Sequence, residues 1–176
     1  MKIGFCGTVS VGKTTLVNKL KELSEFKDYT FATERSKYLR DLGIPLNTDS
    51  TLKGQTVFLA ERASELINDN IITDRTVIDV MAFTNNAQSI NESDKLKFEY
   101  FANNFIQEYD WIFYVSPAGV LIEDNKVRTT DEYYRNQIDY TIKSLTSEYL
   151  FKIKNFGIIS GSTEDRLRQL KFYLNL

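Results

Sequence analysis

The run Gly7-Thr8-Val9-Ser10-Val11-Gly12-Lys13-Thr14-Thr15 carries the sharpest chemical signal in the chain. Gly7, Gly12, Lys13 and Thr14 fall at the spacing G-x-x-x-x-G-K-[ST], in which glycines let the backbone curl so that successive N–H groups turn inward around phosphate oxygens. A helix starting near Lys13 adds the positive end of its dipole. Lys13 is then placed to reach β- and γ-phosphates, and the Thr14 hydroxyl to hold Mg²⁺. The flanks supply the elements that such a loop needs. Lys2 to Cys6 is apolar enough for a central strand, and Leu16, Val17 and Leu20 recur at helical spacing in a helix from Lys13 to Leu23.

Two acids end other apolar runs. Tyr29-Thr30-Phe31-Ala32-Thr33-Glu34 alternates as a short strand closing on a carboxylate, and Asn70-Ile71-Ile72-Thr73-Asp74-Arg75 reads as a second, with an arginine directly behind the acid. In open α/β sheets the carboxyl ends of strands are where ligands bind. Asp74 can orient Mg²⁺ through water or accept a hydroxyl proton, Glu34 is the second candidate for either task, and the sequence does not rank them. Carboxylates there also cap helices or pair with arginines, so each keeps a structural alternative. Arg75 can hold an acceptor oxygen or a donor phosphate.

The remaining pattern alternates strand and helix. Arg35, Tyr38 and Leu39 begin a short helix closed by Gly43 and Pro45. Thr51 to Asn68 fits one helix with an apolar face through Leu52, Val57, Phe58, Leu66 and Ile67, which puts Gln55, Arg62 and Glu65 on other faces, where most side chains are solvated. Helices are expected at Thr76 to Ala87, Asp94 to Glu108 and Thr130 to Leu150, and strands at Trp111 to Ser116 and Gly157 to Gly161. Ser162-Thr163-Glu164-Asp165 resembles a capping box opening a last helix. Five short strands separated by helices imply an α/β fold with a mainly parallel sheet covered on both sides.

The totals narrow the function. A length of 176 residues suits one domain, 1–176, and the fractions of apolar and charged residues are ordinary for a globular protein. With a net charge of -2, bulk attraction to nucleic acid or an anionic membrane has no support. The absence of histidine removes histidine metal sites and every Ser-His-Asp or Cys-His mechanism. Cys6, the one cysteine, is expected as a small buried hydrophobe. No leader and no membrane-length apolar run is read, so a cytoplasmic protein is expected. Guanine-nucleotide switches need Asp three residues before a glycine, which none of the eight glycines has, and Asn125-Lys126-Val127 is followed by Arg128 where an acid is needed to read guanine. Small phosphotransferases remain, in which catalysis is positioning plus charge neutralisation.

Taken together, Gly7 to Thr15, Glu34-Arg35, the Gln55-bearing helix, Ile72-Thr73-Asp74-Arg75 and Glu123-Asp124-Asn125-Lys126-Val127-Arg128 resemble the P-loop nucleoside and nucleotide kinases. Within them the chain is similar to the NadR-like ribosylnicotinamide kinase domains and their AAA-type ATPase/kinase relatives. The resemblance implies a three-layer α/β/α P-loop NTPase fold, strand order 2-3-1-4-5, and a lid over about 118–135. It also implies that Gly7 to Thr15 bind ATP phosphates, that Thr14 serves Mg²⁺ with Asp74, and that Arg128 and Arg135 are lid cations. Glu34, Arg35, Gln55 and Arg75 would then face the acceptor. Asn125 stands where the family's lid has glycine, and Asp74-Arg75 matches the signature of deoxynucleoside and thymidylate kinases equally well, so the acceptor stays open. The expected activity is transfer of the ATP γ-phosphate to a small nucleoside or nucleotide, with polynucleotide 5′-kinase or a regulatory ATPase as alternatives and a homodimer left open.

Overall fold

The computed structural model describes residues 1–33, 35–119 and 131–176. Glu34 and the segment from Glu123 to Arg128, with most of the expected lid, lie outside the described residues.

Five parallel strands form one sheet: β1 (Lys2–Cys6), β2 (Thr30–Ala32), β3 (Ile71–Thr73), β4 (Trp111–Val115) and β5 (Phe156–Ile159), in the order β2-β3-β1-β4-β5. Their central members are apolar throughout because both faces are covered, yet the twofold alternation of side chains still sorts them. Ile3 and Phe5 of β1, with Phe113 and Val115 of β4, join the core under α1 (Lys13–Leu20) and α7 (Thr163–Leu174). Cys6, Ile112 and Tyr114 point the other way. They join the larger core under α3 (Leu52–Glu65), α4 (Val77–Asn85), α5 (Glu92–Ala102) and α6 (Glu132–Glu148). A short α2 (Ser36–Asp41) follows β2. Cys6 is fully buried, and burial raises its thiol pKa well above the usual range.

Helix α4 is apolar on nearly every side because it packs against α3, α5 and α6 at once. Its start is fixed by a capping box, in which Thr76 and Asp79 satisfy each other's end of the first turn. The expected box at Ser162 and Asp165 also forms and opens α7. Boundaries shift where polar side chains intervene. Asn91 accepts a bond from the Asp94 amide, so α5 begins before Asp94, at Glu92. It stops at Ala102, six residues short of the expected Glu108, because the side-chain amides of Asn103 and Asn104 bond back to the carbonyls of Glu99, Tyr100 and Phe101, and the chain tightens into a 3₁₀ turn.

A larger correction concerns α3. Gln55, off the apolar face by periodicity but turned to the acceptor by the resemblance, and Arg62, left among solvated residues, are each only 3% exposed, whereas Leu52, expected on the apolar face, is 36% exposed. The helix has two partners, the core and a cleft, and the second selects a polar stripe that an apolar periodicity does not register.

Gly4 shows how tightly the central strand is packed. A Cβ there would lie 2.5 Å from Thr76 Cγ2 and 2.7 Å from Tyr109 Cε1, well inside van der Waals contact. Gly4→Ala is therefore expected to lower stability by about 1–3 kcal/mol in urea denaturation, with an unchanged denaturant slope.

Candidate active site

The turn between β1 and α1 leaves its amides available. Among the described residues, the N–H groups of Val9, Ser10, Val11 and Gly12 donate to no acceptor, although Val9, Ser10 and Val11 are buried. Unpaired amides inside a fold are costly, and four gathered in one loop make an arrangement suited to an anion. The curl needs left-handed backbone at Ser10 (φ 56°) and Gly12 (φ 82°).

Other groups hold the loop from outside. The Gly7 N–H donates to Asp79 Oδ1 at 3.1 Å, and the other oxygen of the same fully buried carboxylate takes the Thr76 amide and hydroxyl. The Thr8 hydroxyl donates to the Arg135 carbonyl at 2.8 Å, which ties the loop to the first turn of α6. Lys13 Nζ donates to the Gly7 and Thr8 carbonyls at 2.5 and 2.9 Å and stands 3.9 Å from Asp79 Oδ1. On the far side, Arg166 of α7 donates to the Val11 carbonyl. Asp79 and Arg166 were not among the residues singled out by sequence. The Thr76-x-x-Asp79 box before an apolar run was a readable signal for Asp79; nothing local to Arg166 announces its role.

Thr14 and Asp74 do meet. The Thr14 hydroxyl donates to Asp74 Oδ2, and Asp74, 1% exposed, is held at the end of β3 by its own amide bond to the Ala32 carbonyl at 2.9 Å. Hydroxyl and carboxylate oxygens are the hard donors that Mg²⁺ takes when phosphates and water complete its shell, so this pair fits the ion.

Beside the loop lies a cleft. Val9 closes its loop end, Gln55, Phe58 and Arg62 of α3 form one wall, and Arg75, Val80 and Phe83 another. The Arg75 guanidinium stacks on the Phe83 ring at 4.7 Å, which fixes its plane. Gln55, Phe58 and Arg62 sit at i, i+3 and i+7, one stripe of a helix that offers an amide, a ring and a guanidinium. Arg62 is the member that sequence reasoning left out. Arg35 is placed elsewhere: it pairs with Glu61 at 3.2 Å, stacks on Tyr38, and does not line the cleft. Arg135 is buried in α6 beside the loop. Glu34 and Arg128 fall among the residues not described.

A family model for the AAA domain matches residues 2–166. The chain belongs to that family. Solved structures of similar fold include deoxyadenosine kinase from M. mycoides with bound dATP, at 19% identity, full coverage of both chains and a TM-score of 0.68. The same enzyme with bound dCTP matches at 20% identity, over 99% of this chain and 97% of that one, with a TM-score of 0.65. NadR protein in complex with NR matches at 15% identity and a TM-score of 0.76; this chain is covered to 99% and spans 51% of that one. A comparison with curated proteins returns no match. The P-loop kinase fold expected from the sequence is the fold found, in the strand order the resemblance implied.

Behind the cleft of this AAA domain, Arg62 is braced by Glu65 at 2.5 Å. Burial pushes the Glu65 carboxyl up to about 7, with Arg62 opposing the shift and Glu61 adding to it. The folded state therefore holds a proton on Glu65 that the unfolded chain has released, so between pH 4.5, the ordinary value, and about 7 stability should fall as pH rises. Glu65→Gln is expected to flatten that fall, read as the difference in urea midpoint between parent and variant across the same window.

Proposed function

We propose that this chain is an ATP- and Mg²⁺-dependent phosphotransferase that moves the γ-phosphoryl group to a hydroxyl or phosphate of a small nucleoside-like acceptor. The observation that carries the reading is the continuity of cleft and loop. Val9 belongs to both, so an acceptor lying against Gln55, Phe58 and Arg62 presents its far end to whatever the loop amides hold. The likeness to a deoxyadenosine kinase fold with bound nucleotides supports an acceptor of that class.

In the transfer to a hydroxyl, the acceptor oxygen bonds to the γ-phosphorus as the bond from that phosphorus to the β–γ bridging oxygen breaks. ADP leaves, and the hydroxyl proton passes to a carboxylate. The loop amides and Lys13 bind the β- and γ-phosphates and take up the charge that develops there. Thr14 and Asp74 would hold Mg²⁺, which would screen phosphate charge and orient the transferred group. The bond between Asp74 and Thr14 commits Asp74 to the phosphate side, which favours Glu34, two residues beyond β2, as proton acceptor. Arg75, flat against Phe83, holds an acceptor oxygen, and Arg128 and Arg135 supply the cations that the resemblance assigns to a lid.

Mg-ATP at one hundred times its dissociation constant should raise the melting temperature by about 5–10 °C, and Lys13→Ala should abolish most of that rise. A panel of nucleosides, nucleoside monophosphates, nicotinamide riboside and short oligonucleotides then identifies the acceptor. Transfer to oligonucleotides that falls steeply with salt would replace the small-molecule reading by a polynucleotide kinase. ATP binding with every acceptor untouched would leave a regulatory ATPase. Glu34→Gln is expected to lower kcat by about 10²–10⁴ with ATP affinity kept, whereas Asp74→Asn should also weaken the dependence on Mg²⁺, both read by steady-state kinetics.

A further inference from the structure

One cation of this site lies outside it. Arg166, in the first turn of α7, is 155 positions from Val11 in sequence and 3% exposed. Its Nη1 donates to the Val11 carbonyl at 2.5 Å and its Nη2 to the Ser116 carbonyl at 3.2 Å. Ser116 follows β4 and is itself bonded through its amide to Ile159 of β5. A single guanidinium thus joins the loop after β1, the end of β4 and the helix after β5, which are neighbours across the sheet.

We propose that Arg166 is a positioning residue for nucleotide binding: it grips the Val11–Gly12 peptide from behind and so turns the Gly12 N–H toward the phosphates. The inference rests on the reading of the loop as an ATP-phosphate site. A trans peptide is planar, with C=O and N–H pointing in opposite directions. Holding the Val11 carbonyl against Arg166 therefore aims the Gly12 N–H away from α7, and that N–H is one of the four loop amides without an acceptor among the described residues. The peptide has reason to flip without such a grip, because Gly12 at φ 82° has no side chain to resist rotation. The guanidinium also packs directly on this residue, since a Cβ on Gly12 would come to 3.0 Å from Nη1.

The cost of the arrangement argues that it is used. Among the described residues Arg166 has no carboxylate partner, and its buried Nε has no hydrogen bond. Burial accordingly lowers its pKa. A buried cation with carbonyl partners alone is expensive, and a polyanion arriving on the other side of the peptide is the counter-charge that it lacks. The planar fork holds the Val11 and Ser116 carbonyls on two separate nitrogens at a fixed spacing, whereas a lysine would have to gather both around one nitrogen on a flexible stem.

The test is titration of Mg-ATP, without acceptor, into the parent, Arg166→Lys and Arg166→Gln, each checked for fold by circular dichroism and melting temperature. Arg166→Lys is expected to weaken Mg-ATP binding by about tenfold and Arg166→Gln by at least as much, while KM for the acceptor stays within about twofold. A purely structural arginine would lower the melting temperature and leave that split absent. Equal Mg-ATP affinity in parent and folded variants overturns the proposal. If neither variant folds, the Nη resonances of Arg166 in ¹⁵N-labelled parent must shift on adding Mg-ATP, and no shift overturns it. The two readings fail separately. A parent that binds Mg-ATP but phosphorylates nothing ends the kinase reading alone, whereas a parent that transfers phosphate while Arg166→Lys binds Mg-ATP equally ends this one alone.

Discussion

A backbone loop that leaves its N–H groups unpaired cannot use them to hold itself in shape. That constraint governs the loop between β1 and α1, where four consecutive amides have no acceptor among the described residues. What remains for anchoring is the carbonyls, the hydroxyl of Thr8 and the first amide, and these are used. Asp79 holds the Gly7 amide, the carbonyl of Arg135 holds Thr8, Lys13 bridges the carbonyls of Gly7 and Thr8, and Arg166 holds that of Val11. Hydrogen bonds to charged groups contribute about 1.5–3 kcal/mol each, enough to fix a loop whose own ladder is missing. Apart from Lys13, the anchors come from the helices after β3, β4 and β5, so those strands have to stand beside β1 before the loop has its geometry.

The cleft follows the opposite logic. Its wall on α3 is polar yet buried, and the charges on it are backed by further charges: Arg62 by Glu65, and Glu61 by Arg35. Several atoms in this layer, including the Tyr109 hydroxyl and one oxygen each of Glu61 and Glu65, have no hydrogen bond among the described residues. Each such group costs about 1–3 kcal/mol. A hydrophobic filling would be more stable, but it would leave nothing to orient a polar acceptor. Rigidity is drawn instead from α4, buried on nearly all sides, which carries Asp79 at its start and Phe83, the platform for Arg75, one turn on.

Continuous apolar strands, glycine spacing and helical periodicity are local properties, and they were sufficient for the element order, the parallel sheet and the place of the glycine-bounded loop between the first strand and helix. The meeting of Thr14 with Asp74 was also legible, because a loop after the first strand and an acid after the third arrive at one sheet edge whenever those strands are neighbours. Chain-local signals could not rank Gln55 and Arg62 above solvated helix residues, since their burial depends on α4 closing the far side of the cleft. Arg35 illustrates the reverse: next to an acid in sequence, it turns to Glu61 on a helix that the sequence does not connect to it. What the sequence by itself determined was which backbone would curl with its amides left unpaired, because φ freedom and amide spacing are properties of a short segment. Which side chains steady that curl, Asp79 and Arg166 above all, only the tertiary structure decided, because a hydrogen bond across 72 or 155 residues exists only when the sheet brings its two ends together.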